Sequence, residues 1–371
     1  MVLAHRGRRI GGGRRMTTKT ATTVKKHLPK HNGGTWVHFV HRDTMRRKRP
    51  MAKASLPKAV PATILPVDNT GNATVSCPML GNDTVGDCGP VMMAHMSQIR
   101  TYGQGKSGFI AIVINQASLV AQYEQKSGGD NGTDEDMLVG SGGIATVAGG
   151  GVANDPTDIV VDHLDVDVTN APLAQYCNDQ FYGVHMAWSV PDAFLQGFAT
   201  GTVWADAMTP DPNNGHYTPL SDVGGETTIV NEVNLNGFYR LWTWGGWCWV
   251  SPAFVVSVDP ECFVTFSPLQ FNKATGYDSH GRHITDQAAA WVALGGNASI
   301  VNALAATFPP KVAPPAPPPA PPPTGLLTAA QVTGVQAAVA AVIDPQDALL
   351  EKSVVGPQLQ AAVAGLGPVA S

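Results

Sequence analysis

Charge is scarce through most of this chain. Only 14% of its 371 residues are charged, and acids are nearly missing from the start, where residues 1–58 hold 16 of the 24 Lys and Arg but a single acid, Asp43. The remainder carries 8 basic against 27 acidic side chains, so the sequence joins a basic arm to an acidic body. No apolar run reaches the roughly 18 residues that a spanning helix needs, and the first thirty residues lack the apolar core of a secretory signal. We therefore expect no membrane span and a cytoplasmic or virion-associated location. Cysteine is sparse too. Cys77, Cys88, Cys177, Cys248 and Cys262 are too scattered for a disulfide framework, and no C-x-x-C pair suggests zinc. An odd count leaves at least one free thiol if the others pair, and no metal or cofactor is expected.

What is present is apolar: 43% of residues are hydrophobic, enough to bury a real core in one domain of about 250 residues with appendages. Residues 1–58 read as a basic, unstructured arm, and residues 59–307 as the folded body. The arm (GRRIGGGRR at 7–15, MRRKRP at 45–50) suits nucleic acid, an acidic partner, or its own acidic body. No recognition module accompanies it, and translation from Met16 or Met51 would shorten it. Residues 308–324 form a linker, with ten prolines in the fifteen positions 309–323; polyproline II would extend it to roughly 45 Å. Residues 325–371, rich in Ala, Val and Leu at helical spacing, read as a helical hairpin that needs something to pack on.

Within the body, 118–125 and 132–140 look helical, the latter capped by Thr133 or Asp134. DNGTDED lacks the spacing of a calcium loop. The later half alternates at period two in FYGVHMAWSV (181–190), GHYTPLSDV (215–223), GFYRLWTWG (237–245) and FVVSV (254–258). All four read as strands of one antiparallel sheet, giving an α+β domain.

The most informative stretch is LGNDTVGDCGPVMMAHMSQI (80–99). A polar turn runs straight into a helical pattern, with Met92, Met96 and Ile99 on one face and Pro90 in the first turn, where its missing N–H costs nothing. Cys88 then sits at the helix N-terminus, where free N–H groups and the macrodipole favour a thiolate. Six residues earlier, the amide of Asn82 is placed to join the Cys88 backbone N–H as an oxyanion hole. A small buried hydrophobe is the plainer role for a lone cysteine.

DCGP at 87–90, with a side-chain amide six residues before the cysteine, resembles the nucleophile segment of papain-like cysteine peptidases. It is most similar to the double-glycine-leader peptidase branch and to phage or bacterial proteins with a GND-x-x-GDC motif. The resemblance spans about residues 60–295 through two or three short motifs. It implies an N-terminal helix carrying the nucleophile, packed on a C-terminal antiparallel sheet that delivers a histidine.

Of six histidines beyond the arm, His216 opens a strand after Asn213-Asn214-Gly215, like the Gly-His entry of the family; His185, in mid-strand, is the second choice. His95 is two turns from Cys88, roughly 10.5 Å along the helix, and out of reach of its sulfur. His280 and His283 read as solvated loop residues, and His163 has no supporting context. LWTWGG (241–246) resembles the strand that orients the histidine, but the position usually held by Asn or Asp is Trp242. Thr243, Asn236 or a carbonyl must substitute. Trp242, Trp244, Trp247 and Trp249 read more readily as the wall of a core or cleft than as a stacking platform. The implied activity is hydrolysis of peptide or related amide bonds, peptidoglycan-like substrates included, through a thioester. The alternative is an inactive scaffold of virion or surface type.

Overall fold

Helices placed early in the chain carry one wall of the molecule, and strands placed late form the surface they pack on. The computed structural model describes residues 24–26, 37–39, 41–46, 52–57, 66–70, 78–102, 114–129, 132–140, 143–144 and 159–312. Cys77, most of the Pro-rich linker and the expected C-terminal hairpin lie outside them.

The first part holds β1 (Val24–Lys26), β2 (Val37–Phe39), α1 (Arg42–Met45), α2 (Cys88–Tyr102), α3 (Gln116–Ser127) and α4 (Glu135–Val139). There follow β3 (Asp162–Asp165), α5 (Ala171–Phe181), β4 (Val184–Ser189), α6 (Asp192–Gly197), β5 (Val203–Trp204) and β6 (Gly215–Val223). The chain continues through β7 (Ile229–Val230), β8 (Val233–Asn234), β9 (Tyr239–Thr243), β10 (Gly246–Val250), α7 (Pro252–Ser257), β11 (Glu261–Phe266), α8 (Ile284–Leu294) and α9 (Ala298–Ala305). The main sheet has seven strands in the order β3-β11-β4-β6-β9-β10-β5. Its pairings are antiparallel except β10 with β5. The α+β class expected from the sequence is the one observed.

Alternation along the strands sorts the core into two layers. Ala187, Tyr217 and Phe263 meet Cys88, Val91 and Met92 of α2. On the other face, Met186, Trp188, Leu220, Leu241 and Val264 pack with α5, α7 and α8. β9 pairs with β6 only from Leu220 onward, so the first half of β6 has one edge open towards α2.

The expected strand 254–258 is instead helix α7. Ser251 caps it by accepting the Phe254 N–H (3.0 Å), and Pro252 fills its first turn. These signals outweigh a short β-branched run whose Phe254 and Val255 are buried either way. Helices also recur throughout the later half. Asp134, not Thr133, caps α4. The arm expected to be unstructured contributes Phe39, Arg42 and Met45, all fully buried, and residues 52–57 join β3 and α8 through Ala54 and Ser55.

β6 ends in a bulge where Asp222 adopts φ of 44°. Its carboxylate accepts from the Asn69 N–H (2.7 Å) and the Thr70 hydroxyl (3.0 Å) and pairs with Arg240 (2.9 Å), holding the 66–70 segment against the sheet. Trp242, Trp247 and Trp249 surround the Arg240 guanidinium at 5.7, 5.0 and 4.8 Å. Three of the four clustered tryptophans therefore wall this partly buried cation rather than forming an open platform.

Candidate active site

Helix α2 begins at Cys88 itself, with Pro90 in its first turn. Gly89 permits the start of α4 to lie against that turn, since an added Cβ would come within 2.6 Å of the Thr133 hydroxyl. The backbone N–H groups of Cys88, Gly89 and Tyr217 on β6 lie near enough to the Cys88 sulfur to act as donors that favour its anion. The last donor is the amide joining residues 216 and 217, so the topology brings the sulfur to the open edge of the strand that carries His216. Cys88 is nonetheless only 3% exposed. Burial, with Asp87 adding repulsion, outweighs the three donors and pushes the thiol up to about 12. The thiolate expected from the helix terminus is not the resting form.

His216 leaves β6 on the same face as its cross-strand neighbour Trp188 and is buried. Its Nε2 lies 2.8 Å from the Thr243 hydroxyl on β9, and Trp244 lies over the ring, centroids 5.0 Å apart and 32° between planes. Nδ1 is buried with no hydrogen-bond partner, including the Cys88 sulfur. Burial first, then the neighbouring His95, lowers the imidazole to about 3. The resting pair is thus neutral thiol and neutral imidazole.

Asn82, His95, His216, Tyr217, Trp242 and Thr243 share one cavity of about 10 Å³, room for a single water at most. Asn82 is buried with its Oδ1 unbonded. Sequence reasoning excluded His95 because it cannot touch the sulfur. The structure brings it to this cavity, with Nε2 3.0 Å from the Pro78 carbonyl and burial lowering it to about 4. The signal was its helical spacing from Val91, which also lines the cavity.

The other histidines lie elsewhere. His185 stacks on Phe263 (4.6 Å) and bonds the Thr265 hydroxyl (3.0 Å). His283, expected in a solvated loop, is buried and caps α8. His163 sits on the edge strand β3, and His280 packs on Tyr182. Asn236, an alternative orienter, falls in the turn before β9 and bonds Asn234. Cys177, Cys248 and Cys262 are buried free thiols. Among the described residues, no group of three or more His, Cys, Asp or Glu is arranged to hold a metal.

No family model and no curated protein matches this chain. Solved structures that match include one from work on the mite allergens Blo t 1 and Der p 1, 13% identical over 60% of this chain and 80% of that one, TM-score 0.41. Xylellain, a cysteine protease from Xylella fastidiosa, matches at 12% over 60% and 98%, TM-score 0.36. The cysteine protease and lectin-like domains of a surface layer associated protein of Clostridium difficile match at 11% over 59% and 54%, TM-score 0.37. At these values the chemistry has to be argued from the site.

Proposed function

We propose that this chain is a papain-like cysteine hydrolase of peptide or related amide bonds, with Cys88 as nucleophile, His216 as general base and acid, Thr243 as its positioning residue and Asn82 in the oxyanion hole. The supporting observation is the division of labour on one ring. If Nε2–H donates to Thr243, the lone pair sits on Nδ1, the nitrogen left unbonded. Cys88 is held against the adjoining peptide unit.

In the acylation step the sulfur attacks the carbonyl carbon while the thiol proton passes to Nδ1 of His216. The Asn82 side-chain amide and the Cys88 N–H receive the negative oxygen. The imidazolium then protonates the leaving amine, the C–N bond breaks, and a thioester remains. Water, deprotonated by the same nitrogen, attacks the thioester and returns the thiol. Peptide bonds are the default substrate, and peptidoglycan cross-bridges or isopeptides satisfy the same chemistry. The GND-x-x-GDC signature points to the double-glycine-leader-like branch.

The second reading, an inactive scaffold, draws on the buried thiol and on the small size of the cavity, which Cys88 does not line. An epoxide probe, mapped by mass spectrometry, together with turnover of a quenched peptide library, separates the two. The hydrolase reading expects turnover that drops on the order of a millionfold in Cys88→Ala and in His216→Ala. Absence of turnover, with Cys88 no more reactive than a model thiol after the site is opened, supports the scaffold.

A further inference from the structure

The turn that presents Asn82 leans on the helix that begins with Cys88. Leu80 and Gly81 both adopt left-handed backbone, with φ of 53° and 107°. The turn closes through the Asn82 N–H, which donates to the Met79 carbonyl (3.0 Å), and through the Thr84 N–H and hydroxyl, which donate to the Gly81 carbonyl (2.8 Å each). A leucine takes that backbone conformation only against steric resistance, so the turn needs holding from outside. Oδ1 of Asn82 is buried without a partner, and the amide therefore takes its direction from the turn rather than from a tether on that atom.

An outside bond comes from His95. Side chains on a helix point back towards its N-terminus, and from two turns beyond Cys88 the imidazole reaches the Pro78 carbonyl with Nε2 at 3.0 Å. A carbonyl only accepts, so Nε2 carries the proton. Burial holds the ring neutral, lowered to about 4, which leaves this single tautomer. Because φ of a proline is fixed, pinning the Pro78 carbonyl sets the direction in which the chain enters the turn. Pro78, Met79, Asn82, His95 and His216 line the same small cavity.

We infer that His95 is the positioning residue of the oxyanion hole: by pinning Pro78 it fixes the Asn82 amide relative to Cys88, with nucleophile and clamp carried on one helix. The inference deepens the hydrolase reading and rests on it. It also gives a role to a buried histidine that the Cys88–His216 chemistry leaves unused.

The full-length protein supports a distance-specific test, because the terminal N–H of glutamine lies about as far from the backbone as Nε2 of histidine and that of asparagine falls short. His95→Asn is expected to lower kcat on a quenched peptide about 100-fold with KM little changed, the loss that follows when an oxyanion donor is misplaced. His95→Gln should recover most of that loss. In an Asn82→Ala background His95→Asn should add almost nothing, since the group it positions is gone; a merely structural histidine lowers both backgrounds alike. Hydrogen exchange reads the clamp without turnover: the amides of Asn82, Thr84 and Val85 should exchange about tenfold faster in His95→Asn, the equivalent of one lost hydrogen bond, and return in His95→Gln. On the unaltered protein, a histidine-labelled nitrogen spectrum should show His95 protonated at Nε2 at neutral pH, and an Nδ1–H ring overturns the inference. Full activity in His95→Asn, or an equal loss with and without Asn82, also overturns it and leaves the hydrolase standing. Absence of Cys88-dependent turnover in the wild type removes the hydrolase; the exchange pattern then decides the clamp, kept if Asn loosens the turn and Gln restores it, overturned if the two variants match.

Discussion

At the scale of single residues, the hydroxyl of Thr243, next to the position where an amide or carboxylate is usual, makes one hydrogen bond to Nε2 of His216. Thr243→Val removes that acceptor while keeping shape and burial, leaving both imidazole nitrogens unbonded. We expect kcat to fall by about 10- to 100-fold with KM little changed, the scale of loss when a catalytic group is misplaced by about an ångström. Thr243→Ser should retain most activity, and a Val variant as active as wild type would show that the hydroxyl does not hold the ring. Cys88, Asn82 and His216 could be nominated from local motifs with fixed spacing and Thr243 as one of several substitutes beside Trp242, and the fold gathers Asn82, His216 and Thr243 around one cavity. His95 could not, because its role comes from contacts between segments far apart in sequence, and no local pattern encodes such contacts.

At the scale of elements, the helical segments 116–127 and 135–139 and the strand 215–223 follow from periodicity and caps. The segment 254–258 did not, since a short β-branched run cannot be told from a buried helix by period alone; the deciding signal was the Ser-Pro pair just before it. That cap is worth testing. Ser251 accepts from the Phe254 N–H and donates to the Ala205 carbonyl (2.5 Å), tying α7 to the end of β5. Ser251→Ala is expected to cost about 1–2 kcal/mol in urea-induced unfolding. A change within error would mean that packing alone sets this helix.

At the scale of the whole molecule, stability should depend steeply on acidity. His95, His185 and His216 are held neutral by burial, His95 down to about 4 and His216 to about 3. In the unfolded chain each takes a proton near pH 6.5. Their depressed values therefore contribute stability that is present above that pH and lost as pH falls. Asp222 opposes them, because burial raises it to about 6 and the folded state then binds the extra proton. The three histidines outnumber Asp222, so unfolding takes up protons on balance and stability falls as pH drops from 6 towards 4. Thermal melts across that range check the slope, and a flat profile would contradict the buried neutral histidines. The order in which the chain is made adds a further consequence of the distance between α2 and β6. Cys88 leaves the ribosome 128 residues before His216, about 6–25 s at ordinary elongation rates. Throughout that interval the nascent polypeptide carries the proposed nucleophile without its proposed proton acceptor, so under the hydrolase reading it cannot cut itself or its neighbours before His216 has been made.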